Sequence, residues 1–149
     1  MTVASSKTAS LHDAASALVL RDIEDGAETS TTTETPVELP RMSNAYWVTD
    51  QQPGGEAVVQ FSISAVGTSN GDETYILAIQ VDDTHDHSNR PVTVWSATIS
   101  QPSNFKVGID LDAIRTVVPD APRRWLAVKA TLGGTSPLIN YGATLVKSI

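Results

Sequence analysis

The stretch Ala57-Val58-Val59-Gln60-Phe61-Ser62-Ile63-Ser64-Ala65-Val66 carries the reading of the fold. Val59, Phe61, Ile63 and Ala65 fall on one side of an extended chain, and Gln60, Ser62 and Ser64 on the other. A period of two sets one face against a core and leaves the other in water, which describes a half-buried strand. Turn residues Gly67-Thr-Ser-Asn-Gly71 follow, and the alternation resumes along the rest of the chain. Tyr75, Leu77, Ile79 and Val81 share one side of Thr74–Val81, and Val92–Ser100 is rich in Val, Thr, Trp and Ile. Phe105, Val107, Ile109 and Leu111 alternate, as do Leu126, Val128, Ala130 and Leu132, and then Ile139, Tyr141, Ala143 and Leu145. Gly, Pro, Asn and Asp separate these runs, and no long helical pattern lies between them, so a parallel α/β sheet is excluded.

Upstream the pattern is weaker. Ala17-Leu-Val-Leu-Arg-Asp-Ile23 fits a strand, supported by Val19, Ile23 and the turn Asp25-Gly26, or the end of a short helix beginning near Asp13. Thr29-Ser-Thr-Thr-Thr-Glu-Thr-Pro36 offers little to a core and reads as a loop or extended arm. Asp110–Val118 has room for a short helix, with Asp112 as its cap and Pro119 and Pro122 as its stop. The expected fold is all-β: an antiparallel β-sandwich or jelly roll of about eight strands with an extended N-terminal arm. Residues 1–40 are the arm and a first strand and loop segment packing on the domain, and 41–149 the sandwich core of one domain.

Composition narrows the function. The 149 residues contain no cysteine, which removes disulfides, thiolate zinc sites, iron–sulfur clusters and cysteine nucleophiles. Ten Lys and Arg against seventeen Asp and Glu give a net charge of −7, the wrong sign for a protein that holds a nucleic-acid backbone. No run approaches the ~18 apolar residues of a membrane helix. The N-terminus shows no secretory pattern, so synthesis in a cytoplasm is expected.

Few residues suggest chemistry. Asp82-Asp83-Thr84-His85-Asp86-His87 gathers three carboxylates and two imidazoles. His85 and His87 at alternate strand positions would point the same way and, with Asp83, face a cation. The reading preferred is a hydrated loop tip, where Asp, His and Ser are at home. No phosphate-binding glycine loop, nucleophile elbow or metalloprotease motif occurs, and Gly133-Gly134-Thr135 reads as a hairpin turn. No enzyme activity and no cofactor are expected. Candidate interaction residues are Tyr46 and Trp47, which are interface anchors or core, and the adjacent pair Arg123 and Arg124, which reads as solvent-facing at a strand start.

One segment is distinctive. Arg123-Arg-Trp-Leu-Ala-Val-Lys-Ala-Thr-Leu-Gly-Gly-Thr-Ser-Pro-Leu-Ile-Asn-Tyr-Gly-Ala-Thr-Leu145 resembles the closing hairpin of the jelly-roll capsid cement (decoration) proteins of tailed bacteriophages, the group typified by the Bordetella phage cement protein. Ser10-Leu-His-Asp-Ala14 is similar to that group's start, and Asp72-Glu-Thr-Tyr-Ile-Leu-Ala-Ile-Gln80 to one of its strands. Residues 29–35 and 82–87 fall outside the pattern. The resemblance implies a virion protein on the outer capsid surface, made in the host bacterial cytoplasm. Its partners would be the major capsid protein and itself, as a homo-oligomer, with a dimer expected before a trimer. The charge of −7 suits a position away from the packaged genome. The other reading is a carbohydrate- or ligand-binding sandwich with Tyr46, Trp47 and Trp95 as an aromatic platform.

Overall fold

The computed structural model describes residues 17–38, 56–110 and 124–147. The Ser10–Ala14 motif, Tyr46, Trp47, Asp112, Arg123 and most of the expected helix at 110–118 lie outside the described residues. Nine strands run through the rest: β1 (Ala17–Arg21), β2 (Thr32–Thr33), β3 (Val37–Glu38), β4 (Glu56–Val66), β5 (Thr74–Asp82), β6 (Val92–Thr98), β7 (Ser103–Asp110), β8 (Trp125–Gly133) and β9 (Ile139–Lys147). They form two antiparallel sheets, one ordered β1-β9-β4-β7 and the other β2-β8-β5-β6, with β3 also on β8. The protein is an all-β sandwich.

The alternation in the sequence is what the sheets bury. Val59, Phe61 and Ile63 from β4 and Tyr141, Ala143 and Leu145 from β9 face Leu77, Ile79 and Val81 from β5 and Leu126, Val128 and Ala130 from β8. Tyr75, Leu77, Ile79 and Tyr141 are essentially sealed from water. Each such side chain contributes about 1.5–3 kcal/mol by leaving water. Of the segment 17–23, residues 17–21 form a strand, because β1 pairs along β9 from Ala17 opposite Val146 to Arg21 opposite Ala143. A single 3-10 turn, Ile23–Asp25, follows, with the Asp22 carboxylate accepting from the Glu24 amide at 2.9 Å.

The connection between the last two strands differs from the expected hairpin. β8 pairs with β2, β3 and β5, whereas β9 pairs with β1 and β4, so Gly134–Leu138 is an arch from one sheet to the other. The Gly67–Glu73 connection between β4 and β5 is a second arch, and the two are stitched together. Asp72 accepts from the Thr135 hydroxyl at 2.6 Å and the Thr135 amide at 3.1 Å, and Glu73 accepts from the Ser136 amide at 3.3 Å. The Tyr75 hydroxyl donates to the Gly67 carbonyl and accepts from the Leu138 amide. The Thr135 hydroxyl and amide hold the Asp72 carboxyl below the ordinary carboxylate range.

Gly134 makes this close approach possible. Its φ is +99°, and a Cβ there would lie 2.6 Å from Glu73 Cα. Gly134→Ala meets both a strained backbone and a clash, so it should destabilise the fold by about 2–3 kcal/mol. Urea unfolding of the variant against the parent chain measures this directly, and Thr131→Ala, on the exposed face of β8 just before the arch, serves as the mild comparison.

Candidate functional site

Three places concentrate polar or aromatic groups. The first is the Asp/His loop between β5 and β6. It is a loop between two strands, as the preferred reading has it, folded back into a turn that Asp82 organises. Asp82 is only 2% exposed and accepts from the amides of Asp83 at 2.8 Å, Asn89 at 3.1 Å and Arg90 at 3.3 Å and from the Thr84 hydroxyl at 2.9 Å. Burial alone would raise its pKa. The Thr84 hydroxyl and the amides of Asp83 and Arg90 outweigh burial and hold the carboxyl below its ordinary range.

His85 and His87 do not point the same way. His87 takes a positive φ of 57° and turns inward, where its Nε2 donates to the Trp125 carbonyl at 2.9 Å. His85 stays exposed, edge-on to the Trp125 ring with centroids 6.1 Å apart. Asp83 accepts from the Asn89 side-chain amide at 3.0 Å. Among the described residues no group of three His, Asp or Glu side chains is placed to hold a metal ion. The alternate-position geometry expected for a cation site needs extended backbone, and here the backbone is a turn. The loop therefore works as a cap that fixes the end of β5 against the start of β8. Asp82→Ala strands three amides at once and should lower stability by about 2–3 kcal/mol, with faster hydrogen exchange confined to residues 83–90.

Arg124 also departs from expectation. It is 5% exposed at the head of β8, where the 83–90 loop folds against the strand, so it does not face solvent. Trp95 packs within an aromatic group. It stacks on Phe61 at 5.4 Å and lies 5.9 Å from Phe105, so it joins the two sheets while staying partly exposed beside a surface cleft.

The second place was not anticipated. Arg21 ends β1 only 3% exposed. Its Nη1 donates to the Tyr141 carbonyl and, at 3.2 Å, to Asn140 Oδ1, and its Nη2 donates to the Gly26 carbonyl. Its Nε faces Glu28 Oε2 at 3.2 Å and Glu34 Oε2 at 3.5 Å. Its guanidinium lies 4.6 Å from the centroid of the Tyr141 ring, whose hydroxyl donates to Glu34 at 2.8 Å. Burial and the nearby Glu34 and Glu28 carboxyls push the Tyr141 phenol upward. Glu34 belongs to the Ser/Thr-rich stretch that read as a loose arm. In the fold that stretch supplies β2, and its glutamate is buried.

Two carboxyl groups thus share one guanidinium. Burial, a hydrogen bond to Glu34 and the charge of Glu34 raise Glu28 from 4.5 to about 8, against the opposing pull of Arg21. The folded chain keeps a proton that the unfolded chain releases near 4.5. That contribution to stability is complete below 4.5 and is lost as pH rises through about 8. Glu28→Gln, which imitates the protonated acid, should remove this slope. Urea midpoints of the two proteins compared across pH 4.5 to 8 provide the check.

The third place comprises two surface clefts. One, of about 680 Å³, runs over the outer face of the four-stranded sheet, floored by Gly142 and lined by Gln60, Ser62, Asn104, Lys106 and Thr144. Ile23 closes on Gly142, and a Cβ there would meet Ile23 Cβ at 3.2 Å. The other, of about 320 Å³, opens between β6 and β7 beside Trp95, Ile99 and Phe105. Neither brings together a nucleophile, a base and an oxyanion donor. Comparison with protein-family models, with curated proteins and with solved structures gives no match.

Proposed function

We propose that the chain is a non-enzymatic virion protein, a capsid cement protein that binds the outside of a tailed-phage head and bridges neighbouring capsomers. The observation that carries this reading is where the cement-like segments lie. Asp72–Gln80 and Arg123–Leu145 are far apart in sequence, yet within the described residues they form interior strands β5, β8 and β9 and the two interlocked arches. Their resemblance to cement-protein strands therefore concerns one contiguous frame, not scattered matches.

The physical design suits a mechanical role. A cement protein adds interface area between subunits and must not deform when the shell is under pressure. Here both sheets are tied at one end by Asp72, Glu73 and Tyr75 and at one side by Arg21, Glu28 and Glu34. A rigid body loses little entropy on docking, so more of its contact energy appears as affinity. Repetition over a symmetric shell then multiplies a modest single-site affinity. A net charge of −7 keeps such a protein soluble and away from the genome.

The test is co-sedimentation with empty tailed-phage heads assembled from major capsid protein. Binding should saturate at a fixed ratio of chain to capsid subunit, and decorated heads should survive heating that breaks bare ones. If the chain stays in the supernatant while it is retained on polysaccharide, the carbohydrate-binding reading takes its place.

A further inference from the structure

The chain from Gly26 to Pro36 crosses the side of the sandwich as a strap. It leaves β1 of one sheet and reaches β3 of the other, passing β2 on the way. Apolar burial does not hold it there. Between Arg21 and Val37 the one buried residue is Glu34, whereas Leu20 before the strap and Val37 after it are each 1% exposed. The backbone attachments are few. Thr32 and Thr33 pair with β8, Glu28 and Ile139 exchange two bonds, and the Glu34 amide donates to the Val128 carbonyl at 2.9 Å. What fixes the strap from within is the meeting of its two carboxyl groups, Glu28 and Glu34, with Arg21.

That meeting is one positive charge short. With both carboxyls ionised, two negative charges face one guanidinium in a site largely closed to water. Arg21 comes from β1, Glu34 from the strap itself, and Tyr141 of β9 donates its hydroxyl to Glu34. β8 sets apolar Val128 and Ala130 on its inward face. Glu28 Oε1 is buried and has no hydrogen-bond partner among the described residues, so no donor answers its charge. One retained proton removes the excess, and burial, with the hydrogen bond and charge of Glu34, raises Glu28 to about 8. Both ends of the strap are suited to turning. Gly26 has a φ of +91° and open space where a Cβ would lie, and Pro36 is followed at once by the anchor Val37.

We propose that residues 26–36 form a proton-held latch: when the Glu28–Glu34 pair gives up its shared proton, the strap swings away between Gly26 and Val37 while both sheets stay folded. Opening uncovers the edge of β8 at Lys129 and Ala130, which lose Thr33 and Thr32, and parts the Tyr141 hydroxyl from Glu34. The direction follows from which state holds the proton. The closed strap keeps it up to about pH 8, and an open, hydrated Glu28 releases it near 4.5. Opening is therefore rarest below 4.5, grows by up to about tenfold per pH unit across the interval, and levels off above about 8. The slope of global stability requires only that unfolding releases this proton. The latch assigns the release to a partial opening that precedes unfolding.

Hydrogen exchange of the full chain between pH 5 and 9, corrected for the intrinsic rate at each pH, is the experiment. The amides of Glu28, Glu34 and Ile139 report the strap, and those of Leu77 and Ile79 report the interior strand β5. The strap amides should exchange as one group, at least about tenfold faster than the β5 amides, with opening that rises with pH to about 8. Glu28→Gln leaves one carboxylate to one guanidinium and should flatten that rise. If it does not fold, Glu34→Gln makes the same change of charge and should shrink the rise. Equal exchange of strap and β5, strap protection that ignores pH, or an unaltered rise in a folded variant overturns the proposal.

Discussion

A guanidinium held at 3% exposure costs several kcal/mol unless its charge and donors are answered, and the answers Arg21 receives come from everywhere the N-terminal segment touches. The Gly26 carbonyl fixes the turn after β1, the Tyr141 carbonyl and Asn140 fix β9, and Glu28 and Glu34 bring in the chain on its way to the opposite sheet. The geometry is demanding because each partner leaves an uncompensated group behind if it moves. That demand accounts for how residues 22–34, exposed for most of their length, hold one course across the side of the sandwich. The backbone bond pair between Glu28 and Ile139, at 2.7 and 3.0 Å, is the continuation of the same course. Such a network specifies position more than it adds net stability, since an apolar cluster of equal volume would hold as well without fixing a register.

The strands were legible because their signal is local. Val59, Phe61 and Ile63, or Tyr75, Leu77 and Ile79, declare a buried face from spacing alone, and each of those faces is buried. Sheet membership was not legible. The five residues from Gly134 to Leu138 suit a hairpin or an arch equally, and the choice is made by Asp72, Glu73 and Tyr75, more than sixty residues earlier in the chain. The Asp/His segment is the loop between strands that its residue types suggest, and only the alternate-position geometry weighed for a cation site does not arise. His87 turns inward because its backbone adopts a positive φ, and a period-of-two argument does not apply to a turn.

The buried cluster left two faint marks in the sequence that could have been weighed. Arg21 closes an otherwise apolar run, Ala17-Leu-Val-Leu, and Glu34 is the lone charge in a run of Ser and Thr. A charge set where the local pattern calls for burial needs a partner, because charged side chains are almost never fully buried unpaired. Reading the pair required knowing that β1 and β2 lie in different sheets on the same side of the molecule, which no local pattern states.

The order in which the chain visits the sheets has a consequence for how the protein folds. β9 lies between β1 and β4, and β8 lies between β5 and the β2 and β3 edge, so two strands late in the described sequence are interior to the two sheets. Among the described strands only β5 and β6 form a sequence-adjacent pair within one sheet. β1 meets β9 across the whole described length, with Ala17 opposite Val146. Folding is therefore governed by distant contacts, which places it at the slow end of the range for small domains. Loss of β9 would remove the centre of a sheet and not its margin, so neither β1 nor β4 would keep its place.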